Sequence, residues 1–350
     1  MIDIPDGLID TQSKYNGAAG RAFLAALPGR AAEFLERWGL RRDGEAFHGV
    51  CALVLPVVRV ADGRPAALKL QPVDEETVGE PVALRVWGEA GAGAVELLDH
   101  DAATGTLLLE RLDGRRSLAG MADEREAVLI LAELLARLSS VTAPAPADHG
   151  LPGPPAPPGP PAPPGPPAPP GSPAPPGSPE LRGLPPLRGL GEMAERMLQE
   201  APGAVAALVD EEERRLLADC AAAVREVAGE PGDRLLHWDL HYGNVLAGRE
   251  GRWVAIDPKP LVGDPGFELL PTLVNRFDAA AVRWRFDVLT QALGLDRERA
   301  RAWTLGRLLQ NGLWDVSDGR RRLDPEQAEI ARQLLGPESA GHGPVLTLPS

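Results

Sequence analysis

The spacing of apolar residues changes twice along the first 112 positions. Over residues 15–40, Phe23, Leu24, Leu27, Phe34, Leu35 and Trp38 recur at helical spacing, which predicts a helix broken at Pro28. Between 50 and 70 the runs shorten to strand length. Residues 51–55 and 57–60 lead to Asp62-Gly63, a hairpin dipeptide, and then to the run 66–70. A helix ending at Trp87 and strands at 95–98 and 106–112 follow. This is a helix-flanked antiparallel sheet. After Gly114 the period turns helical: residues 124–138 are strongly amphipathic, and further helices are predicted near 190–200, 204–228, 278–293 and 297–313. The expected class is α+β with two lobes, a small antiparallel-sheet lobe at 1–112 and a larger, mainly helical lobe at 113–350.

Residues 152–179 are of another kind, with 17 prolines among 28 positions. Glycine recurs every six residues from Gly153 to Gly177, with alanine halfway between. Collagen needs glycine at every third position, so a triple helix is disfavoured. The segment reads as a polyproline II excursion or loop inserted within the second lobe. A protein partner for such a tract is conceivable, but a neutral insertion is preferred.

With 350 residues, 44% hydrophobic and 25% charged, the composition is globular. A formal net charge of −14 argues against nucleic acid and against acidic membranes as partners. Cys51 and Cys220 are far apart and make neither a disulfide framework nor a metal spacing. The acidic start lacks a secretory pattern, and no apolar run approaches the ~18 residues of a membrane span, so the chain reads as cytoplasmic.

The chemistry concentrates in residues 235–268. Asp239 lies in a His-x-Asp-x-His loop, Asn244 follows five residues later and Asp257 thirteen after that. Two short strands, separated by a turn at 248–251, would close as a hairpin and bring Asn244 beside Asp257. Two oxygen ligands with a third carboxylate one loop away suit a Mg²⁺–phosphate site. His237 and His241 permit zinc ligation by spacing, but no cysteine or further histidine lies near, so bracing hydrogen bonds are the better reading. Trp238 reads as packing.

In the first lobe, strand alternation sets Lys69 and Ala67 on one face and Leu68 and Leu70 on the other. Lys69 can reach nucleotide phosphates and needs an acidic partner. Glu80 at the start of a helix is the first choice, because Pro81 is tolerated only in the first turn; Glu76 is the rival. The end of the run 107–114 can offer backbone groups of Glu110 and Leu112 to an adenine ring. No Walker-type phosphate loop is present, and His48-Gly49-Val50-Cys51 is the only glycine-containing candidate to cover phosphates.

The motifs AALKL at 66–70, LLLERLDG at 107–114, HWDLHYGN at 237–244 and AIDPKPLVGDPGFELL at 255–270 resemble the aminoglycoside phosphotransferase family, of protein-kinase-like fold. The stretches 20–28, 37–44, 230–242 and 293–315 resemble its streptomycin, hydroxyurea and viomycin branch. The resemblance implies ATP and Mg²⁺ as cofactors. It makes Asp239 the residue that accepts or orients the substrate hydroxyl proton, Asn244 and Asp257 the metal ligands, and Lys69 the phosphate ligand. It implies an antibiotic-inactivating kinase whose cationic substrate is best guessed as streptomycin, at the 6-position. A cationic substrate calls for carboxylates, and Asp264, Glu268, Asp315 and Asp318 are the candidates, with Trp314 to stack on a guanidinium. Asp264 has a rival reading as the brace of a Gly-Asp-Pro turn, and a tryptophan at the position of Trp314 is more often helix core. The alternatives are a kinase of the same fold acting on hydroxyurea, viomycin or another metabolite, and, more distantly, a non-catalytic scaffold using the proline tract. A protein kinase is disfavoured by the lack of its signatures. Deletion of 152–179 is expected to leave catalytic turnover within about twofold of the intact chain; loss of turnover would tie the tract to catalysis.

Overall fold

The computed structural model describes residues 3–144 and 186–336; the proline tract therefore lies outside the described residues. Helix α1, Asp6–Arg37, runs straight through Pro28 and is interrupted at Gly17 instead, where φ is 49° and ψ −119°. Proline removes one helical hydrogen bond, but Leu27, Ala31 and Phe34 around it are fully buried against the sheet, and that packing holds the helix together. The backbone at Gly17 is one that only glycine adopts cheaply.

The sheet beneath α1 comprises β1 (Leu40–Arg42), β2 (Phe47–His48), β3 (Leu53–Arg59), β4 (Pro65–Leu70), β5 (Leu97–Asp101) and β6 (Thr106–Glu110). Its order is β1-β3-β4-β6-β5, with β2 beside β3, and its pairs are antiparallel. The two runs around Pro56 form one strand. The Pro56 carbonyl accepts the Asp43 N–H at 2.8 Å, so its missing donor faces the gap between the short edge strands rather than β4. Ala66, Leu68 and Leu70 pack towards α1, whereas Ala67 packs with Leu84, Leu109 and Val254 on the opposite face. Helix α2 (Glu80–Ala90) lies between β4 and β5. It carries Pro81 in its first turn and runs one turn past Trp87, to a cap at Gly91 with φ 63°.

The second lobe begins with β7 (Asp113–Ser117) and α3 (Glu124–Ser139), which Asp123 caps through the N–H groups of Arg125 and Glu126. Then come β8 (Arg188–Gly189), α4 (Leu190–Ala207), α5 (Glu211–Val227), β9 (Arg234–Leu236), β10 (Val245–Ala247), β11 (Trp253–Ala255) and β12 (Leu261–Gly263). Helices α6 (Leu270–Val274), α7 (Val282–Leu293), α8 (Arg297–Ser317) and α9 (Pro325–Leu335) complete it. The break expected between 200 and 204 falls at 208–210 instead: α4 continues through Pro202, and Asp210 caps the start of α5. The sequence reading missed α9, although Asp324-Pro325 is a helix-start signal.

Two three-stranded sheets, β11-β10-β7 and β8-β12-β9, frame the loop 237–244 from either side. The lobes are joined beside it, because Val95 N–H donates to the Ala255 carbonyl at 2.9 Å and Ala255 N–H to that of Gly93 at 3.0 Å. Beneath lies the main core, built on α3, α5, α7 and α8 around Phe267, Phe286 and Trp303. Buried Arg285 donates to the carbonyls of Thr272, Leu273, Asn275 and Arg276 and pairs with Glu124 at 3.0 Å. Glu124 in turn accepts the Tyr242 hydroxyl at 2.7 Å, which ties this network to the loop. Among the described residues no helix is long and apolar enough to cross a membrane.

Candidate active site

Strands β10 and β11 pair with Val245 opposite Ala255, and the Ile256 N–H donates to the Asn244 carbonyl at 2.9 Å. The hairpin therefore sets Asn244 and Asp257 at its open end. The Asn244 amide nitrogen donates to the Asp239 carbonyl at 2.9 Å and lies 3.5 Å from its carboxylate. One acid, one amide and a second acid thus meet at the mouth of one hairpin.

Lys69 reaches this point from the other lobe. Its ammonium lies 2.7 and 2.8 Å from the two Glu80 oxygens and 2.6 Å from Asp257 Oδ1. Gln71 holds the second Glu80 oxygen at 2.6 Å. Glu80 is therefore the lysine's partner, and Glu76 stays exposed. Burial would drive the proton off Lys69, but the charges of Asp257 and Glu80 outweigh it and hold the ammonium well above its ordinary pKa. Burial would raise Asp257; Lys69 and Lys259, the latter 3.8 Å away, outweigh that and keep the carboxyl well below the usual range. Asp239 shifts the opposite way: burial raises it, with Asp257 adding, against His241, Arg307 and Lys259.

The histidines brace the loop. Burial pushes His237 down to about 3, so the ring is neutral. Its Nε2 then donates to the Ile256 carbonyl at 3.0 Å, and Nδ1 faces the Asp239 N–H at 3.4 Å. His241 Nδ1 accepts the Gly243 N–H at 3.0 Å. Trp238 is buried and sits at φ 65°, and Asp257 at φ 57°. Such conformations cost on the order of 1 kcal/mol or more in residues with a Cβ and concentrate where function dictates geometry.

The second-lobe carboxylates expected to bind a cation are placed otherwise. Glu268 is 1% exposed; one oxygen accepts the Trp238 N–H at 2.6 Å and the other the Ser139 hydroxyl at 3.2 Å, so it supports the loop from below. Asp264 accepts the Gly266 N–H at 2.8 Å and pairs with Arg299 at 2.6 Å, so it braces the Gly-Asp-Pro turn. Asp315 pairs with Arg320 and lines a small cavity with Leu216, Leu323 and Gln327, facing α5 and α9. Asp318 caps the exposed C-terminus of α8. Trp314 adjoins the loop from the solvent side, 42% exposed, with its ring 6.1 Å from that of Trp238. At the hinge, the Glu110 N–H is engaged by the Glu96 carbonyl at 2.9 Å and is not free for a ligand. Leu112 joins Val54, Ala67 and Ile256 in an apolar cluster at the lobe junction.

Three cationic side chains escaped the sequence reading. Lys259 follows Asp257 by two residues. Arg188 and Arg307 both lie over the Trp238 ring, at 4.6 and 4.8 Å from its centroid. Arg307 had a legible signal, since it continues the buried stripe Ala300, Trp303 and Thr304 at helical spacing where an apolar residue is the rule. Arg188 stands just beyond the proline tract in a two-residue strand and had none.

A small sheet lobe carrying a buried lysine–glutamate pair, set over a helical lobe carrying an acid–amide–acid hairpin, defines a protein-kinase-like phosphotransferase. The sequence profile described as aminoglycoside/hydroxyurea antibiotic resistance kinase matches residues 37–152 and 175–319, and the chain belongs to that family. It is 55% identical over 338 residues to a hydroxyurea phosphotransferase of Kitasatospora aureofaciens, covering 96% of this chain and 87% of the relative. It is 48% identical over 344 residues to a streptomycin 6-kinase of Streptomyces griseus, covering 96% and 98%. Among solved structures, a macrolide 2′-phosphotransferase of Brachybacterium faecium superposes with a TM-score of 0.51 at 19% identity, covering 89% of this chain and 99% of that one. That likeness confirms the fold alone.

The pH dependence of stability tests the role of Glu268. Burial raises its carboxyl to about 7 from an ordinary 4.5. Over that window the folded protein keeps a proton that the unfolded chain has released. The stabilisation is complete below the lower value and is lost as pH rises through the upper one, on the order of 2–3 kcal/mol. Glu268→Gln is expected to flatten the thermal midpoint between about pH 5 and about pH 8. An unchanged slope in the variant would remove Glu268 as its source.

Proposed function

We propose that the protein transfers the γ-phosphate of ATP to a hydroxyl group of a small antibiotic and so inactivates it. The observation that carries this is the meeting of Lys69, Asn244 and Asp257 at one point, with Asp239 one hydrogen bond away. Lys69, fully ionised and fixed by Glu80, would hold the nucleotide's α/β-phosphates. Val54, Ala67, Leu112 and Ile256 form an apolar surface suited to the adenine ring. Asp257 and the Asn244 amide oxygen form a hard oxygen donor set suited to Mg²⁺, which would neutralise charge on the phosphates. Asp239 would orient the acceptor hydroxyl and take its proton, and its raised pKa makes it a better base than an ordinary aspartate. We place the protein in the cytoplasm, where ATP is available.

Streptomycin is the acceptor favoured by the match to streptomycin 6-kinases over 96% of the chain. The second reading, hydroxyurea, is favoured by the 55% identity to a hydroxyurea phosphotransferase. Product mass after incubation with ATP and each drug separates them.

Asp239→Ala is expected to lower turnover by at least about 100-fold while ATP still binds; near-normal turnover would exclude Asp239 as base or orienter. Asp257→Ala is expected to weaken Mg²⁺-dependent nucleotide binding by at least about tenfold, and an unchanged affinity in calorimetry would take Asp257 out of the metal site.

A further inference from the structure

The Trp238 indole is covered by two guanidinium groups in a chain of net charge −14. Like charges are not brought together without a reason; Glu76 acts electrostatically on both but accepts no hydrogen bond from their shielded nitrogens. Nε and Nη2 of Arg188, and Nε and Nη1 of Arg307, are shielded from solvent, and no described residue accepts a hydrogen bond from them. Arg307 stays cationic, since burial lowers it only to about 10. Asp239 is the carboxylate that acts on it most strongly, so Arg307 lies beside the base, and Arg188 shares the ring of the adjacent Trp238. Glu76 and Glu268 act on Arg307 more weakly, and the rings of Phe267 and Trp314 lie at 5.7 and 5.5 Å. Shielded cationic donors without acceptors are costly, and a ligand oxygen would relieve that cost.

We propose that Arg188 and Arg307 form an oxygen-recognition site for the acceptor, which takes a carbonyl or anionic oxygen next to the reacting hydroxyl and excludes a cationic group from that place. The proposal rests on the placement of the acceptor hydroxyl at Asp239. Trp238 is the platform that holds both guanidinium planes, and Trp314 is the exposed wall beside it. Hydroxyurea carries a carbonyl one atom from its N-hydroxyl and has no charge, which fits the pair. A bis-guanidinium acceptor such as streptomycin must turn both cations away from Trp238 to present a hydroxyl to Asp239. The site is thus a charge filter that ranks acceptors by what flanks the hydroxyl.

The test uses the full chain with its nucleotide site filled by ADP, and calorimetry with three probes: inorganic phosphate, hydroxyurea and streptomycin. Wild type is compared with Arg307→Gln, Arg307→Lys and Arg188→Gln. Phosphate and hydroxyurea are expected to bind at least about tenfold more weakly to the Gln variants, with Arg307→Lys retaining most of the affinity and streptomycin unchanged or tighter. The opposite response of the cationic probe separates charge recognition from a damaged fold, which would weaken all three alike. Equal loss for all three, or phosphate binding that is absent in wild type or unchanged in Arg307→Gln, overturns the proposal. If phosphate behaves as expected while neither drug binds wild type, the oxygen site stands and the choice of acceptor fails.

Discussion

The buried ammonium of Lys69 is the constraint from which much of the rest follows. A lysine 4% exposed at a lobe junction is tenable only with carboxylates in hydrogen-bonding range, and removing one partner of such a cluster typically costs on the order of 3–5 kcal/mol. Glu80 must therefore open α2 facing the sheet, and Pro81 is accommodated because the first turn needs no donor from it. Asp257 must arrive from the other lobe, which fixes where β11 ends. Because strand side chains alternate, aiming Lys69 at the cleft aims Leu68 and Leu70 at α1. One ion cluster thus links the sheet of the small lobe, its helix and the hairpin mouth of the large lobe.

The loop opposite is held by a different economy of contacts. Its backbone is engaged rather than its acids: His237 is kept neutral so that each ring nitrogen has one role, and Glu268 accepts the N–H of a tryptophan in a left-handed conformation. Asn244 closes the loop onto the Asp239 carbonyl. Asp239 is thereby positioned by neighbours that do not compete for its carboxylate, apart from the long 3.5 Å approach of Asn244. This leaves the group with a raised pKa, a surrounding suited to receiving a proton.

How much of this was legible differs by the kind of interaction. The hairpin logic of Asn244 and Asp257, and the alternation around Lys69, could be read because they depend on local spacing and period. The choice between Glu80 and Glu76 also yielded to a local rule, the tolerance of proline at a helix start. Pro28 misled because the burial that outweighs a lost hydrogen bond is a tertiary quantity. The break at 208–210 was missed because Pro202, the stronger-looking breaker, is carried within α4, while Asp210 marks the true restart. The engagement of the Glu110 N–H by Glu96 was not legible, because that pairing is set by strand register that no motif displays.

The substrate side shows why a list of charged residues is a poor guide to a site's electrostatics. Reasoning from a cationic drug nominated Asp264, Glu268, Asp315 and Asp318. Glu268 and Asp264 prove to be neutralised by backbone donors or by arginine, and Asp315 faces away. The cations that do act on Asp239 include Arg307 and Lys259, in a protein whose overall balance is strongly acidic. Net charge governs long-range behaviour, but a buried site responds to what lies within a few ångströms, where solvent no longer screens. An acceptor must satisfy that local field, so the atoms flanking its hydroxyl decide its fit more than its total charge does.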